Sequence, residues 1–218
     1  MKSNFNFNPS NSISYSEAIR LAIANQMSKD EKVLVYGLGV DDPKGMYGTT
    51  KGLVDEFGKD RVRNTPICES SIIEIAMGLS ISKRKSIVEL QFSDFITSGF
   101  NPVVNYLAKI HYRWGQNADV VLRMPCGAGV GAGPFHSQTN EAWFTKTPGL
   151  IVVYPAFPCD AKGLLISSVE NPNPVLFFEH KALYRSIRGD VPEGYFTVSY
   201  THLRAHETPE HRVFRLLG

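Results

Sequence analysis

The chain has 218 residues and is 43% hydrophobic, and its 23 basic and 21 acidic side chains leave a formal net charge of +2. A chain of this length can bury one hydrophobic core, or one core and part of a second. The small charge, without any stretch that interleaves basic and aromatic residues, argues against nucleic acid as a partner. No apolar run approaches the roughly 18 residues that span a bilayer, so we expect neither a membrane span nor an export signal.

The cysteines also restrict the class of protein. Cys68, Cys126 and Cys159 are widely spaced and form no C-x-x-C pair. We therefore expect neither a disulfide framework nor a zinc knuckle. A reducing compartment, the cytoplasm or an organelle matrix, fits this pattern best.

Helical and extended patterns alternate along the first half of the chain. Apolar residues at helical spacing after Ser14, a candidate N-cap, predict a first helix, and "VLVYG" from Val33 predicts a strand. The pattern then predicts a helix around "TTKGLVDEFG", a strand near "RVRNT", a helix after Glu69, the strand "SIVELQF" and a long helix from Asp94 to about Trp114.

The second half continues in the same way. It predicts the strand "VVLRMP", a helix after His136, the strand "LIVVYP", the helix "CDAKGLLISSV" and the strand "PVLFFEH". Short apolar strands that alternate with helices predict an α/β fold, a mostly parallel sheet with helices on both faces. Ligands of such sheets bind beyond the carboxyl ends of the strands.

Glu69 stands at the start of an unusually apolar segment, "NTPICESSIIEIAMG". The apolar residues from Ile72 to Leu79 surround the helix axis, so we expect this helix to be buried on most sides. A carboxylate in the first turn after Thr65-Pro66 is favoured by the helix dipole. A partly desolvated carboxyl can instead exchange a proton with a bound molecule. The residues alone leave both interpretations open.

A glycine-rich loop, "PCGAGVGAGPFHSQ", follows the strand before Pro125. Its alternating glycines do not fit the dinucleotide-binding fingerprint. They allow the backbone to pass close to a ligand or to make tight turns. His136 at its end is either a surface histidine or an acid, base or ligand-binding group that faces the strand ends.

Five ordered motifs resemble one family: "TPICES", "VELQFSDF", "GPFHSQ", "PGLIVVYPAFPCDAKGLL" and "NPNPVLFFEHKALYR". From about Ser14 to Val198 the chain resembles the beta subunit of thiamine-diphosphate-dependent 2-oxoacid dehydrogenases. The resemblance implies a transketolase-like pyrimidine-binding domain whose partner alpha subunit, or alpha region, carries the diphosphate and the magnesium.

The resemblance also implies an activity. With its alpha partner and a second beta copy, the protein would decarboxylate a 2-oxo acid oxidatively and transfer the acyl group to a lipoyl-bearing acyltransferase. Two alternatives remain open, a noncatalytic assembly or binding module and a transketolase-type carbon-transfer enzyme.

The family's site residues correspond to positions in this chain. By this resemblance, Glu69 hydrogen-bonds a ring nitrogen of the aminopyrimidine and shares a proton with it, which promotes loss of the proton from the thiazolium carbon. Phe95 lies against the pyrimidine, and Ile67 and Gln91 line the same pocket. His136 faces the thiazolium and the substrate, where a donor steadies negative charge.

A monovalent cation, with potassium as the candidate, is also implied by the resemblance. Its ligands would be largely carbonyl oxygens, from Val120, Ser168, Val169, Asn171 and Asn173. The alternative is that "ENPNP" is an ordinary turn.

Two positions depart from the family. Leu38 stands where relatives commonly have an acidic residue near the cofactor pocket, and Asp41 or Asp42 could substitute for it. Glu74 stands where a small residue is usual. The partners that we expect for Glu74 are a neighbouring subunit, Arg84 or Lys85.

The predicted domain is residues 14–197, preceded by a flexible lead of residues 1–13. From residue 198 the sequence departs from the family, which continues into a C-terminal domain, so we expect residues 198–218 to be an artefact of truncation. The histidines at 202, 206 and 211 include one pair at helical spacing, but no third ligand for zinc is evident.

Overall fold

The structure, a computed structural model, describes residues 12–199, which contain eight strands and six α-helices. The strands are β1 (Ser12–Ser14), β2 (Val33–Gly37), β3 (Val62–Asn64), β4 (Lys85–Glu89), β5 (Val120–Cys126), β6 (Ile151–Val153), β7 (Val175–His180) and β8 (Arg188–Asp190). The helices are α1 (Tyr15–Lys29), α2 (Leu53–Phe57), α3 (Glu69–Ile81), α4 (Ile110–Trp114), α5 (Pro158–Glu170) and α6 (Leu183–Ser186).

Six of these strands form one sheet in the order β3-β2-β4-β5-β7-β6, and every neighbouring pair is parallel. This confirms the predicted α/β fold with a parallel sheet. A second, small sheet joins β1 and β8 in antiparallel orientation, with Ser12 opposite Asp190. No periodic pattern in the sequence predicts that pair.

Helices cover both faces of the large sheet, as expected. On one face α1 and α5 pack together, and their buried residues include Ile19, Ile23 and Leu164. On the other face α3 packs beside the segment that follows β4, through residues such as Ile73 and Val103. Because both faces are covered, β2, β5 and β7 consist mostly of buried apolar residues.

The first helix begins at the predicted cap. The side chain of Ser14 accepts a hydrogen bond from the backbone N–H of Glu17 at 3.2 Å. This bond satisfies one of the free amides of the first turn. At the other end of α1, the N–H of Asp30 donates to the carbonyl of Gln26 at 3.0 Å.

Helix α3 differs from its prediction in two ways. It begins at Glu69 itself, with Cys68 as the N-cap, so Thr65-Pro66 precedes the helix. Its buried face carries Ile73 and Ala76, but Ile75 is 54% exposed and Ile81 is 49% exposed. The prediction of a helix buried on most sides is therefore wrong for this chain, which covers only one face of α3.

The predicted long helix from Asp94 to Trp114 is wrong, because three short pieces replace it. A 3-10 turn (Ser93–Thr97) precedes a π-helical turn (Pro102–Leu107), and only Ile110–Trp114 is α-helical. Proline has no N–H and its ring crowds the preceding turn, so Pro102 begins a new helical segment. The π-type bond from Ala108 N–H to the Val103 carbonyl, 3.0 Å, shows the changed winding.

The predicted helix after His136 is also wrong. The segment contains two 3-10 turns, Pro134–His136 and Glu141–Trp143. Its backbone groups serve tertiary contacts instead: the N–H of Gln138 donates to Asp94 Oδ1 at 3.1 Å, and the Gln138 carbonyl accepts from the N–H of Gly127 at 2.8 Å. Those bonds are incompatible with a regular helix through Gln138.

None of the helices within residues 12–199 is long and apolar enough to cross a membrane. The three cysteines are free thiols, Cys68 exposed, Cys126 buried and Cys159 half-buried.

Candidate cofactor site

A cavity of about 270 Å³ lies beyond the carboxyl ends of β2, β3 and β4. Four residues singled out in the sequence line it together: Ile67, Glu69, Gln91 and Phe95. Ligands of parallel sheets bind at this end, beyond the carboxyl ends of the strands. The volume lies just below the ~300 Å³ lower limit for pockets of drug-sized ligands, so the cavity suits one ring better than a whole cofactor.

Glu69 occupies the first position of α3 and is half-buried. Its carboxylate makes no hydrogen bond to another residue of the described part, although it borders the cavity. The helix N-terminus favours a negative charge at this position. Glu69 thus combines a structurally favoured charge with a carboxylate that is free to bind a ligand.

Gln91 is held in place from two sides. Its amide Nε2 donates to the carbonyl of Leu38 at 3.3 Å, and its own carbonyl accepts from the hydroxyl of Tyr47 at 3.1 Å. Ile67 differs, because its side chain is 74% exposed and lines the open side of the cavity. Gln91 is therefore held more rigidly in the cavity than Ile67.

Phe95 connects the cavity to His136. Its ring lies edge-on to the imidazole, with centroids 5.4 Å apart, and Phe92 contacts the same imidazole at 4.7 Å. The two phenyl rings are 5.5 Å apart, so the three rings form one cluster. His136 is half-buried, and its Nδ1 has no hydrogen-bond partner among residues 12–199. The structure thus places His136 next to the cavity without making it part of the lining.

The loop that carries His136 is attached to the strand ends. The ammonium of Lys181 donates to the His136 carbonyl at 2.9 Å, and Asn140 Nδ2 donates to the Ser93 carbonyl at 2.9 Å. Gly127 starts the loop with φ +81°, and a Cβ there would collide with the ring of His180. Only glycine combines this conformation with so close a neighbour.

A buried ion-pair cluster lies beneath this edge of the sheet. Arg123 of β5 donates to both carboxylate oxygens of Glu179 at 2.7 Å and also bonds Glu89 of β4. Tyr184 donates to Glu179 at 2.6 Å and Thr49 donates to Glu89 at 3.2 Å. Burial raises the pKa of Glu89, against the opposing effect of Arg123. Such a cluster is stable only when every charge is paired.

No sequence motif marks this cluster as a unit. A signal was present, since "VELQ", "VLRMP" and "FFEH" each place one charged residue inside an apolar strand. Charged residues in buried strands are almost always paired. The pairing itself depends on which strands are neighbours, which the linear sequence does not state.

The residues predicted to hold a monovalent cation lie at the other end of the sheet, near the amino ends of β5 and β7. Val120 is the first residue of β5, and Ser168, Val169, Asn171 and Asn173 belong to the end of α5 and the turn after it. Several of their groups bond within the chain: the Ser168 hydroxyl donates to the Leu164 carbonyl, and Asn171 Oδ1 accepts from Asn173. The Val169 carbonyl accepts from the ammonium of Lys85 at 3.1 Å.

The two departures from the family pattern are also located. Leu38 lines the cavity, whereas Asp41 and Asp42 do not. Asp42 Oδ1 accepts instead from the backbone N–H of Lys44 at 2.8 Å within a turn. Glu74 is exposed and forms no ion pair with Arg84, Lys85 or another described residue.

No group of three or more histidine, cysteine or acidic side chains within residues 12–199 is arranged to hold a metal ion. The histidines at 202, 206 and 211, and the predicted tail from residue 200 onward, lie outside the described residues.

Residues 11–187 match the sequence profile of the family described as transketolase, pyrimidine binding domain. The chain belongs to this family. Its fold agrees, because a solved structure titled split gene transketolase, inactive beta4 tetramer, aligns with a TM-score of 0.60. That alignment covers 76% of this chain and 50% of the other at 19% identity, and it therefore shows the fold alone.

Among curated relatives, this pyrimidine-binding domain is similar to E1 beta subunits of 2-oxoacid dehydrogenases. The 2-oxoisovalerate dehydrogenase subunit beta of Bacillus subtilis (strain 168) is 43% identical over 182 residues, 83% of this chain and 56% of that protein. The pyruvate dehydrogenase E1 component subunit beta of Staphylococcus epidermidis is 40% identical over 184 residues, 84% of this chain and 57% of that protein. The chain thus spans a little over half the length of these relatives.

Proposed function

We propose that this chain is the pyrimidine-binding part of the beta subunit of a thiamine-diphosphate-dependent 2-oxoacid dehydrogenase. The observation that carries the proposal is the cavity in which Ile67, Glu69, Gln91 and Phe95 meet. Identities of 40 to 43% to beta subunits named for 2-oxoisovalerate and pyruvate favour this enzyme class over a carbon-transfer enzyme or a noncatalytic module. The reaction of the whole protein is then oxidative decarboxylation of a 2-oxo acid, with acyl transfer to a lipoyl group.

The residues of the cavity fit the aminopyrimidine ring of the cofactor. The ring needs an aromatic surface, a hydrogen-bonding amide and a carboxylate, and Phe95, Gln91 and Glu69 supply these three. Thiamine diphosphate, when bound, would supply a carbon nucleophile and an electron sink for the decarboxylation.

Glu69 holds and moves a proton in this proposal. Its carboxylate is half-buried, free of partners within the described part of the chain, and fixed at the start of a 13-residue helix. A carboxylate in that position binds a ring nitrogen, and exchange of a proton between them gives general acid-base catalysis.

His136 acts on the substrate side. Its ring packs edge-on against both Phe92 and Phe95, and its Nδ1 makes no bond to a described residue. A donor in this place hydrogen-bonds the substrate carboxylate or the negative charge that develops during decarboxylation.

The remaining parts of the enzyme come from partners. An alpha subunit or alpha region holds the diphosphate and the magnesium. A second beta copy is part of the heterotetramer, and a lipoyl-bearing acyltransferase accepts the acyl group. Potassium at the carbonyls of the 168–173 segment remains a prediction. Three free cysteines agree with a reducing compartment such as the cytoplasm.

A chimeric enzyme tests this proposal. Residues 1–187 of this chain would replace the equivalent part of the Bacillus subtilis 2-oxoisovalerate dehydrogenase beta subunit, and the chimera would be coexpressed with that enzyme's alpha subunit. Decarboxylation of 2-oxoisovalerate and of pyruvate would be measured with an artificial electron acceptor, with and without thiamine diphosphate and Mg²⁺. Glu69→Gln is the test variant, and Glu74→Gln on the exposed face of the same helix is its matched control.

The proposal expects cofactor-dependent decarboxylation that Glu69→Gln abolishes and Glu74→Gln leaves intact. An assembled chimera that binds the cofactor but transfers carbon units from ketose phosphates, without oxidising a 2-oxo acid, would favour the transketolase-type alternative. An assembled chimera without any cofactor-dependent turnover would favour the noncatalytic alternative.

A further inference from the structure

Lys181 is a buried lysine for which the proposed chemistry has no use. It follows the last residue of β7 and is only 6% exposed. Its backbone N–H donates to the Cys126 carbonyl at 2.9 Å, which attaches it to the end of β5. Its ammonium donates to the carbonyl of His136 at 2.9 Å and lies 5.1 Å from the centroid of the Phe92 ring.

The environment of Lys181 is costly for a charge. An ammonium loses most of its hydration on burial, and this loss lowers the pKa of Lys181, although Asp94 and Cys126 act in the opposite direction. The carbonyl of His136 and the face of the Phe92 ring compensate for part of the cost. If Lys181 only filled this space, Lys181→Met would leave the stability and the loop conformation unchanged.

The main chain immediately before His136 has few constraints, whereas two residues after it Gln138 bonds Asp94 and Gly127. Gly129, Gly131 and Gly133 all have positive φ angles, and the segment from 128 to 135 is exposed. Glycines allow many backbone conformations, so the loop needs external contacts to select one. The contact from Lys181 is made at His136 itself, on the side where the imidazole meets Phe92.

We propose that Lys181 is a positioning residue, whose ammonium fixes the main chain of His136 so that the imidazole stays against Phe92 and Phe95. Lys181 is not one of the residues that line the cavity. Its ammonium contacts the His136 carbonyl and the Phe92 ring, and it positions the imidazole through these two contacts. Its consequence for turnover rests on the proposed function, whereas its effect on the loop does not.

The first experiment measures the loop in the chain itself. Hydrogen exchange followed by mass spectrometry would compare the wild type with Lys181→Met, which keeps the length of the side chain and removes the charge. Carbethoxylation of His136 by diethylpyrocarbonate, read out on its own peptide, reports exposure of the imidazole. Lys146→Met, an exposed lysine ten residues from His136, is the matched control.

We expect Lys181→Met to raise exchange in residues 128–139 and to speed carbethoxylation of His136 several-fold, with exchange in α1 and α5 unchanged. Lys181→Arg, which keeps a cation, should restore part of the protection. Unchanged exchange and reactivity at His136 would overturn the proposal. A uniform rise in exchange over the whole chain would also overturn it, since Lys181 would then only stabilise the fold.

The second experiment uses the chimeric enzyme. Small misplacements of a positioned group cost up to about 100-fold in rate, so Lys181→Met should lower kcat/KM for the 2-oxo acid by about 10- to 100-fold. Affinity for thiamine diphosphate should stay within about twofold, because the cavity lies on the other side of Phe95. Equal losses of cofactor and substrate binding would contradict a role through His136. If the wild-type chimera is inactive, the proposed function fails, and the exchange experiment still decides the role of Lys181.

Discussion

The ring of Phe95 borders the cavity that contains Glu69, and its edge-on contact with His136 spans 5.4 Å between ring centroids. Phe95 therefore contacts both parts of the site, the cavity with Glu69 and the imidazole of His136. A change in the 92–95 segment affects the pocket and the position of the imidazole together. Through Phe95, Glu69 and His136 belong to one site although they lie 67 positions apart in the sequence.

The isolated chain should bind thiamine diphosphate weakly. One aromatic contact and one or two hydrogen bonds leave little affinity after the entropic cost of association, which is several kcal/mol. We expect a Kd above about 1 μM by titration calorimetry. The chimera with its alpha subunit serves as the comparison and should bind more tightly. Submicromolar affinity of the chain alone would show that it contains more of the cofactor site than we propose.

Lys83→Gly should stabilise the chain. Lys83 has φ +62° just after α3, where the N–H of Arg84 donates to the Leu79 carbonyl at 2.9 Å. This is the geometry of a helix end that glycine favours, and a side chain there costs about 1 kcal/mol. The greater freedom of glycine in the unfolded chain offsets part of this cost, so urea denaturation should show a gain of at most about 0.5 kcal/mol. Ser82→Gly, at a neighbouring position with a negative φ, is the control and should destabilise the chain.

Loss of Arg123 should destabilise the chain far more than loss of a surface arginine. Arg123→Met leaves Glu89 and Glu179 buried without their shared cation, which typically costs about 3–5 kcal/mol. Chemical denaturation measures the difference. Arg20→Met, which removes a half-exposed bond to Glu17, should cost well under about 1 kcal/mol. Similar losses for the two variants would mean that the buried cluster contributes no more than a surface pair.

Glu170 should give stability that depends on pH. Burial opposes its ionisation, but bonds from Lys29, Tyr195 and Gln26 outweigh burial and lower its pKa. Because the pKa of Glu170 is lower in the folded state than in the unfolded state, its charged carboxylate adds stability at pH values above the unfolded-state pKa of about 4.3. This added stability is lost as the pH falls through the folded-state pKa.

Urea midpoints of the wild type and Glu170→Gln test this. The wild type should be more stable at pH 7, and the difference should shrink as the pH falls below about 4. Glu56→Gln, an exposed carboxylate outside this group, is the control. A difference that is constant from pH 7 to pH 3 would show that charge on Glu170 is not the cause.

Local signals in the sequence were sufficient for much of the fold. The cap at Ser14 and the strand from Val33 depend on neighbouring residues, and both are confirmed. The β1–β8 pair joins residues such as Ser12 and Asp190, whose pairing no local pattern encodes. The apolar spacing around Pro102 stays helical, so it does not predict the break in the helix there.

The site was predictable to a similar degree. Glu69, Gln91 and Phe95 meet in one cavity because each follows or begins an element at the same edge of the sheet, and the resemblance to a family identified them. Their roles toward a cofactor remain predictions. No local pattern predicts the roles of Lys181 and Arg123, because these roles come from contacts with distant strands and loops.

The proton-transfer role of Glu69 is the central claim, and exchange of the thiazolium C2 proton tests it most directly. In the assembled chimera, NMR would follow this exchange for the wild type and for Glu69→Gln, which keeps the size and a hydrogen-bonding group but removes the exchangeable carboxyl proton. Loss of a positioned acid-base group costs on the order of 100- to 10,000-fold, so the account predicts exchange slowed by that factor with cofactor still bound. Equal exchange rates in the two proteins would contradict the account and leave Glu69 as a carboxylate that only stabilises the start of its helix.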